Sequence, residues 1–376
     1  MNIPLSRPDI TEAEIEAVVS VLRSSRLSIG PKQEEFEDLL ATYVGVPHAI
    51  AVSSGTAGLH LCIRALGIGK DDEVIVPSFA FISAAHAIRY EGATPVFVDI
   101  EPNTLNLDPA RIEEAITPRT RAILVIHTFG CPANIDEIVE IARRHQLLLI
   151  EDACEAIGAE YRGRKVGTFG NAAVFAFYPN KQVTTGEGGV VVTPHAELAR
   201  DIRALRNQGH YESDDSLHYH TLGYNYRLSE MNCALGCVQM QRIEPILARR
   251  EAVARKYDAM LCGHHKLTLP QLALEHKRIS WFVYVVRLAS DFDQTDRDAI
   301  VHSLTSEGIG CSRYFAPIHK QPAYQQYPVR RLLPVTESVS ARTIALPFFN
   351  RITDHEIESV CDHLARLVDA VSFANR

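Results

Sequence analysis

Leu147-Leu148-Leu149-Ile150-Glu151-Asp152 runs apolar for four residues and then ends on two carboxylates. A strand with apolar side chains on both sides of its pleat is covered on both faces, as strands of parallel sheets are. The surrounding sequence repeats this arrangement. Apolar runs at 49–52, 74–76, 95–98 and 122–126 alternate with helical patterns at 57–66, 83–90, 109–116 and 136–145, and two more β-branched runs follow at 172–177 and 189–192. Two helices precede them, at 10–22 and 33–43. The first is opened by Thr11, with Glu14 in capping-box spacing. Strands that alternate with helices predict an α/β fold with a mainly parallel sheet between helical layers. After about residue 230 the texture changes. Helical patterns fill 230–260, followed by a strand at 282–288, a helix at 295–307, a strand near 311–315 and a helix at 354–368. The chain therefore divides into a large α/β domain, 1–230, that includes the N-terminal helices, and a smaller α+β domain, 231–376.

The chain has 376 residues, 46% of them hydrophobic, which suffices for two or three domains. The formal charge of -8 is spread in both signs along the chain. That excludes a dedicated nucleic-acid binder and a polybasic membrane anchor. Met1 to Pro8 contain no apolar segment of signal-peptide type, and no apolar run nears the ~18 residues a membrane span needs. A soluble, cytoplasmic protein is expected. The eight cysteines are scattered. Cys233 and Cys237 share one helical face and read as small apolar packing rather than as metal ligands. No metal site is expected.

In open α/β sheets, ligands sit outside the carboxyl ends of the strands. Three segments belong there. Ser53-Ser54-Gly55-Thr56 leads into a helix, where small residues and a helix N-terminus suit a phosphate; taken alone it is an ordinary N-cap. Asp152 ends a buried strand and is either a cap or functional. Lys181 stands between the aromatic run Phe175-Ala176-Phe177-Tyr178 and the turn Thr184-Thr185-Gly186-Glu187-Gly188-Gly189. Together they are the parts of a pyridoxal-phosphate (PLP) site. The lysine amine holds an aldehyde as a Schiff base, the aspartate keeps a pyridine nitrogen protonated, and the helix start takes the phosphate.

The chain resembles the sugar aminotransferases of the DegT/DnrJ/EryC1/StrS family, which have the aspartate-aminotransferase-like type I PLP fold. The resemblance rests on Ile3 to Pro8, Ser54-Gly55-Thr56-Ala57-Gly58-Leu59-His60, Glu151-Asp152-Ala153-Cys154-Glu155-Ala156, residues 163–170, the Lys181 segment and Gly223-Tyr224-Asn225-Tyr226-Arg227-Leu228-Ser229-Glu230. It implies that Lys181 is the Schiff-base lysine and proton shuttle and that Asp152 pairs with the pyridinium. It further implies that Glu155 contacts the ring hydroxyl, Phe81 stacks on the ring, and Gly55 and Thr56 hold the phosphate. Asn225 would reach the phosphate of a neighbouring subunit's cofactor, making a homodimer with shared active sites. One departure is Ala176, where many members carry a phosphate-binding serine; a neutral hydrogen bond lost there is worth ~1 kcal/mol.

Glu155, the 184–189 turn and Tyr314-Phe315-Ala316-Pro317-Ile318-His319-Lys320-Gln321-Pro322 look most like the perosamine-synthase subgroup. That likeness implies transfer of an amino group from L-glutamate to C4 of a 4-keto-6-deoxy nucleotide sugar, as in O-antigen and other polysaccharide biosynthesis. Tyr314 and His319 are candidate substrate contacts, with a hydrogen-bonded turn histidine as the alternative for His319. His86, His127 and His220 read as structural, and Trp281, Phe282 and Tyr284 as domain core. The rival functions are C3 amination of a 3-keto nucleotide sugar, a related PLP dehydratase or C–S lyase, and a PLP-fold regulatory protein without turnover. Lys181 argues against the dehydratase branch, where histidine replaces it. Lys181 and Asp152 together argue against the regulatory reading.

Overall fold

A computed structural model describes residues 2–211, 218–327 and 329–374. Helix α1 (Glu12–Leu22) starts at Thr11, which exchanges capping-box hydrogen bonds with Glu14. Helix α2 (Pro31–Val44) opens on proline and ends at Gly45 in the left-handed conformation, φ 88°. Then follow β1 (His48–Val52), α3 (Gly55–Ala65), β2 (Glu73–Pro77), α4 (Ser83–Tyr90), β3 (Thr94–Val98), β4 (Thr120–Ile126), α5 (Ile135–Arg144) and β5 (Leu148–Asp152). A short hairpin, β6 (Glu160–Tyr161) and β7 (Arg164–Lys165), precedes β8 (Ala172–Ala176), β9 (Gly189–Thr193) and α6 (Ala196–Arg206). The remainder comprises α7 (Glu230–Gln241), α8 (Ile243–Leu261), β10 (Leu267–Thr268), β11 (Lys277–Arg278), β12 (Tyr284–Leu288), α9 (Gln294–Ser306), α10 (Pro334–Arg342), β13 (Thr343–Leu346) and α11 (Asp354–Ala374).

The main sheet has the order β1-β9-β8-β5-β4-β2-β3. β9 runs antiparallel to both neighbours, and the pairs from β8 to β3 are parallel. Successive residues of one strand enter opposite cores. Ile150 packs with Val74, Leu124 and the α3 residue Leu59, whereas Leu149 packs with Ile75, Val125 and the α5 residue Ile138. Full burial of such a side chain contributes roughly 1.5–3 kcal/mol over exposure, so both faces select apolar residues and the strand loses alternation. The parallel strands put their carboxyl ends on one edge, which brings Asp152 and the starts of α3 and α4 together.

A second sheet, β10-β12-β13, is antiparallel and packs with α8, α9 and α11 around Tyr257, Tyr284, Leu304 and Leu364. Ile3 joins this second core and bridges Ile309, so the first residues of the chain are tied to its last third. β11 pairs with β6 across the same division.

Two expectations are corrected. Residues 109–116 do not form an α-helix. They make two 3-10 turns, Pro109–Arg111 and Glu113–Ala115, the first held by Asp108 accepting from the Ala110 N–H at 3.0 Å. The buried pair Ile112 and Ala115 is spaced three apart, which suits that tighter turn. Residues 311–315 do not form a strand. β13 takes the place beside β12, Ser312 makes only an isolated bridge to Ala345, and Tyr314 and Phe315 stack instead on Phe129. α6, α10 and β13 add to the expected elements. Cys233 and Cys237 are both buried, and burial pushes the Cys237 thiol up to about 12, as packing cysteines require. No helix among the described residues is long and apolar enough to cross a membrane, and no group of three or more potential metal ligands occurs among them.

Candidate active site

The two carboxylates that end β5 have opposite environments. Glu151 points to one face and is fully buried. It accepts from the N–H groups of Gly167, Phe169 and Gly170 at 2.7–2.8 Å and contacts His127 Nε2 at 3.1 Å. His127 Nδ1 accepts from the Ala133 N–H, so Nε2 carries the proton given to Glu151. Burial alone would raise Glu151, but these donors outweigh it and hold the carboxyl below its ordinary range. Glu151 therefore pins residues 167–170 under the sheet. Asp152 points to the other face, where its Oδ1 has one donor, the Cys154 N–H at 3.1 Å. Burial wins there and pushes the Asp152 carboxyl up, against the hydrogen bonds of Cys154 and the charge of Lys181. A buried carboxylate with unused acceptor capacity fits a cationic N–H partner.

Lys181 lies in the turn between β8 and β9. The Lys181 N–H donates to Tyr178 O at 2.9 Å, and Thr184 Oγ1 donates to Phe177 O at 2.9 Å. Gln182 Nε2 ties the turn to Glu155 O at 2.6 Å and to Ser280 O at 3.0 Å. Gly186 adopts φ 83°, and a Cβ on Gly188 would lie 2.3 Å from Thr185 Oγ1, so both positions exclude larger residues. The turn delivers Lys181 Nζ to a point 3.7 Å from Glu155 Oε1 and 4.0 Å from the centroid of the Phe282 ring. Glu155 Oε2 accepts from the Phe129 N–H at 2.8 Å, while burial pushes its carboxyl up despite the lysine.

A cavity of about 270 Å³ joins these groups. Gly55, Thr56, Phe81, Asp152, Glu155, Lys181 and Tyr314 all line it. At one end stands the start of α3, where Ser54 Oγ accepts from the Ala57 N–H at 3.1 Å and Ser54 O from the Gly58 N–H. That leaves the Gly55 and Thr56 N–H groups for an anion. A Cβ on Gly55 would lie 2.8 Å from the Cβ of Ala176 and 3.0 Å from Cys154 Sγ, and one on Gly189 would lie 2.6 Å from the Ser54 carbonyl. The cup is thus built by close approach of small residues, Ala176 among them. Phe81 is 60% exposed because its ring forms a wall of the cavity rather than core.

Two candidates lie elsewhere. Asn225 is exposed and does not line the cavity of its own chain. His319 does not line it either. It is buried, with Nδ1 2.7 Å from Ser78 Oγ and Nε2 3.3 Å from Glu337, the contacts expected of a hydrogen-bonded turn histidine. His86 bonds Tyr324 and His127 bonds Glu151, both structural. Trp281 and Tyr284 are core, but Phe282 also faces the cavity. Cys154, Tyr178, Asn180 and Glu187 line it as well. Their signal was proximity, since each lies within six residues of Asp152 or Lys181. Phe282 and Phe315 come from the second part of the chain and carry no such signal.

Pyridoxal phosphate fits these residues: an acid for the ring nitrogen, a lysine for the aldehyde, an aromatic wall and a helix start for the phosphate, around one cavity. The model of the DegT/DnrJ/EryC1/StrS aminotransferase family matches residues 8–365. GDP-perosamine synthase of Caulobacter vibrioides is 40% identical over 361 residues, 96% of each chain. Among solved structures, a Streptococcus pneumoniae protein assigned as a sugar aminotransferase, Spr1654 in its PLP form, superposes with a TM-score of 0.94 at 27% identity over 99% of this chain and 100% of its own. Helicobacter pylori PseC, an aminotransferase involved in the biosynthesis of pseudoaminic acid, gives 0.94 at 28% identity over 98% and 100%.

Proposed function

The chain belongs to the DegT/DnrJ/EryC1/StrS aminotransferase family of PLP-dependent sugar aminotransferases, and from that premise we propose that it moves an amino group from L-glutamate to C4 of a nucleotide-linked 4-keto-6-deoxyhexose. The observation that carries this reading is the convergence of Lys181, Asp152 and Glu155 on one cavity facing the start of α3. The 40% identity to GDP-perosamine synthase supports a nucleotide sugar as the acceptor.

Bound PLP supplies an electron-accepting ring next to the carbon that loses a proton. The chain's own residues do the rest. Lys181 Nζ would hold the cofactor and would move the proton to and from the substrate. Asp152 stays ionised when a ring N–H⁺ faces it and keeps that proton in place. Glu155, fixed by the Phe129 N–H, orients the ring hydroxyl. Gly55 and Thr56 would hold the phosphate, Phe81 would cover the ring, and Tyr314 would contact the substrate; all four residues line the cavity. One pocket serving glutamate first and keto sugar second gives ping-pong kinetics. The enzyme is read as a cytoplasmic homodimer. The division is read as a large domain, 1–230, holding the seven-stranded sheet and a smaller one, 231–376, holding β10-β12-β13, with α7 packed back on α1 and α2.

GDP-4-keto-6-deoxymannose is the first candidate acceptor. Its nucleotide form should react roughly a hundredfold or more faster than the free keto sugar, because remote contacts to the diphosphate contribute binding. NMR of the product should place the amine on C4. An amine on C3, or transfer to small 2-oxo acids alone, would overturn the position or the substrate class. For the dimer, Lys181→Ala and Asn225→Asp homodimers should each be impaired. Their mixed dimer holds one site with both native residues and should recover up to about half the native activity. If subunits exchange by native mass spectrometry and nothing is recovered, each site is built within one chain.

A further inference from the structure

Tyr224, Asn225 and Tyr226 lie in an extended segment whose backbone is held on both sides. The Tyr224 N–H donates to Leu205 O at 2.7 Å, the Tyr226 N–H to Arg206 O at 3.0 Å, and the Ser53 N–H to Tyr226 O at 2.8 Å. The last bond ties the segment to the residue just before Ser54-Gly55-Thr56. Alternation in an extended chain sends the two tyrosines one way and Asn225 the other. Asn225 is exposed, and its side-chain amide has no partner among the described residues.

The tyrosines are turned inward onto one buried group. Their rings stack at 5.1 Å and 14°, and both meet His60 edge-on. Tyr224 Oη donates to Glu91 Oε1 at 3.0 Å, and Arg64 donates to Oε2 at 3.1 Å. His60 bridges the rest, with Nε2 2.7 Å from Glu91 Oε1 and Nδ1 3.1 Å from Tyr226 Oη. An ionised carboxylate only accepts, so His60 Nε2 carries the proton and Nδ1 accepts from Tyr226. Burial would raise Glu91, but the bonds from His60 and Tyr224 and the charge of Arg64 outweigh it and keep the carboxylate below its usual range. Glu91 caps the end of α4 and His60 lies on α3, so the cluster joins both helices whose starts line the cavity to the segment bearing Asn225.

We propose that Glu91, acting through His60, Tyr224 and Tyr226, is the positioning residue that holds Asn225 in the pose needed to grip a neighbouring subunit's cofactor phosphate. This rests on the reading of Asn225 given above. Glu91 lines no part of the cavity and touches no reacting atom. Because Asn225 is exposed and lies outside the cavity of its own chain, the effect carried through it falls on cofactor retention in the other subunit.

The test is equilibrium dialysis of holoenzyme, following the absorbance of lysine-bound cofactor. Glu91→Ala should raise the cofactor dissociation constant about tenfold and Tyr224→Phe about threefold, the scale of a lost charge-assisted or neutral hydrogen bond. Glu91→Gln, which keeps an acceptor for His60 and Tyr224, should recover most of the affinity. In mixed dimers with Lys181→Ala, the one Lys181-bearing site receives its Asn225 from a chain with native Glu91, so native affinity should return. Unchanged affinity in both variants, or weak binding that persists in the mixed dimers, overturns the proposal. If Glu91→Ala fails to fold, Tyr224→Phe decides by the same readout. Asn225→Asp taken through the same mixing separates the failures. Rescue of Asn225→Asp without rescue of the Glu91 and Tyr224 variants removes only the clamp. No rescue of Asn225→Asp removes the shared-site reading and the clamp with it.

Discussion

Lys181→Ala is expected to lower turnover by roughly 10⁴-fold or more, the scale for losing a group that is both nucleophile and proton carrier. The fold should survive, because the turn does not depend on the Lys181 side chain, whose contacts are the Glu155 carboxylate and the Phe282 ring. The turn is built by backbone bonds of Lys181 and Thr185 and by the side chains of Gln182 and Thr184. PLP should still bind noncovalently, since the phosphate cup at Gly55 and Thr56, the acid Asp152 and the Phe81 wall are untouched. The variant should therefore bind cofactor without the absorbance of lysine-bound PLP. Circular dichroism, a cofactor titration and a glutamate half-reaction check the three parts. Ordinary turnover in the variant would remove Lys181 from the chemistry.

Asp152→Asn should cost about a hundred- to a thousandfold in turnover, the scale for removing one preorganised charge from a water-poor site. Asparagine cannot hold the proton on the ring nitrogen by charge. The structure gives no reason for the cofactor-free protein to lose stability. Asp152 has a single N–H donor, and burial already works against its charge. The sign follows from linkage. A carboxyl raised in the folded state favours the native protein most at low pH, and that contribution fades as pH rises through the raised value. Above it the cofactor-free Asp152→Asn variant should be no less stable than the cofactor-free native protein. Thermal melts with and without PLP, beside steady-state rates, test this. Near-native rates would reduce Asp152 to a cap for Cys154.

The contrast with Glu151 shows how far the sequence could be read. Burial of the 148–152 strand follows from its apolar residues, and period-2 alternation puts the two acids on opposite faces. Which acid is kept ionised by local donors depends on three N–H groups from residues 167–170, which come close only in the folded sheet. The same limit applies elsewhere. Lys181, Asp152, Gly55 and Thr56 were legible because strand ends, a helix start and glycines mark them locally. Phe282 reaches Lys181 from the second part of the chain, and neighbours along the chain say nothing of that. The two readings of His319 could not be separated along the chain for the same reason: its partners, Ser78 and Glu337, lie 241 and 18 residues away and take both ring nitrogens. At 311–315 the aromatic residues have strand propensity, but packing of Tyr314 and Phe315 on Phe129 overrides it.

A chain that holds PLP on Lys181 carries it as a reducible Schiff base. Borohydride reduction of the purified yellow protein, followed by proteolysis and mass spectrometry, reads that attachment directly. A reduced pyridoxyl group is expected on the peptide containing Tyr178-Pro179-Asn180-Lys181-Gln182, with Lys181 as the modified residue. A reduced cofactor on another lysine, or none on a preparation that still aminates keto sugars, would contradict it.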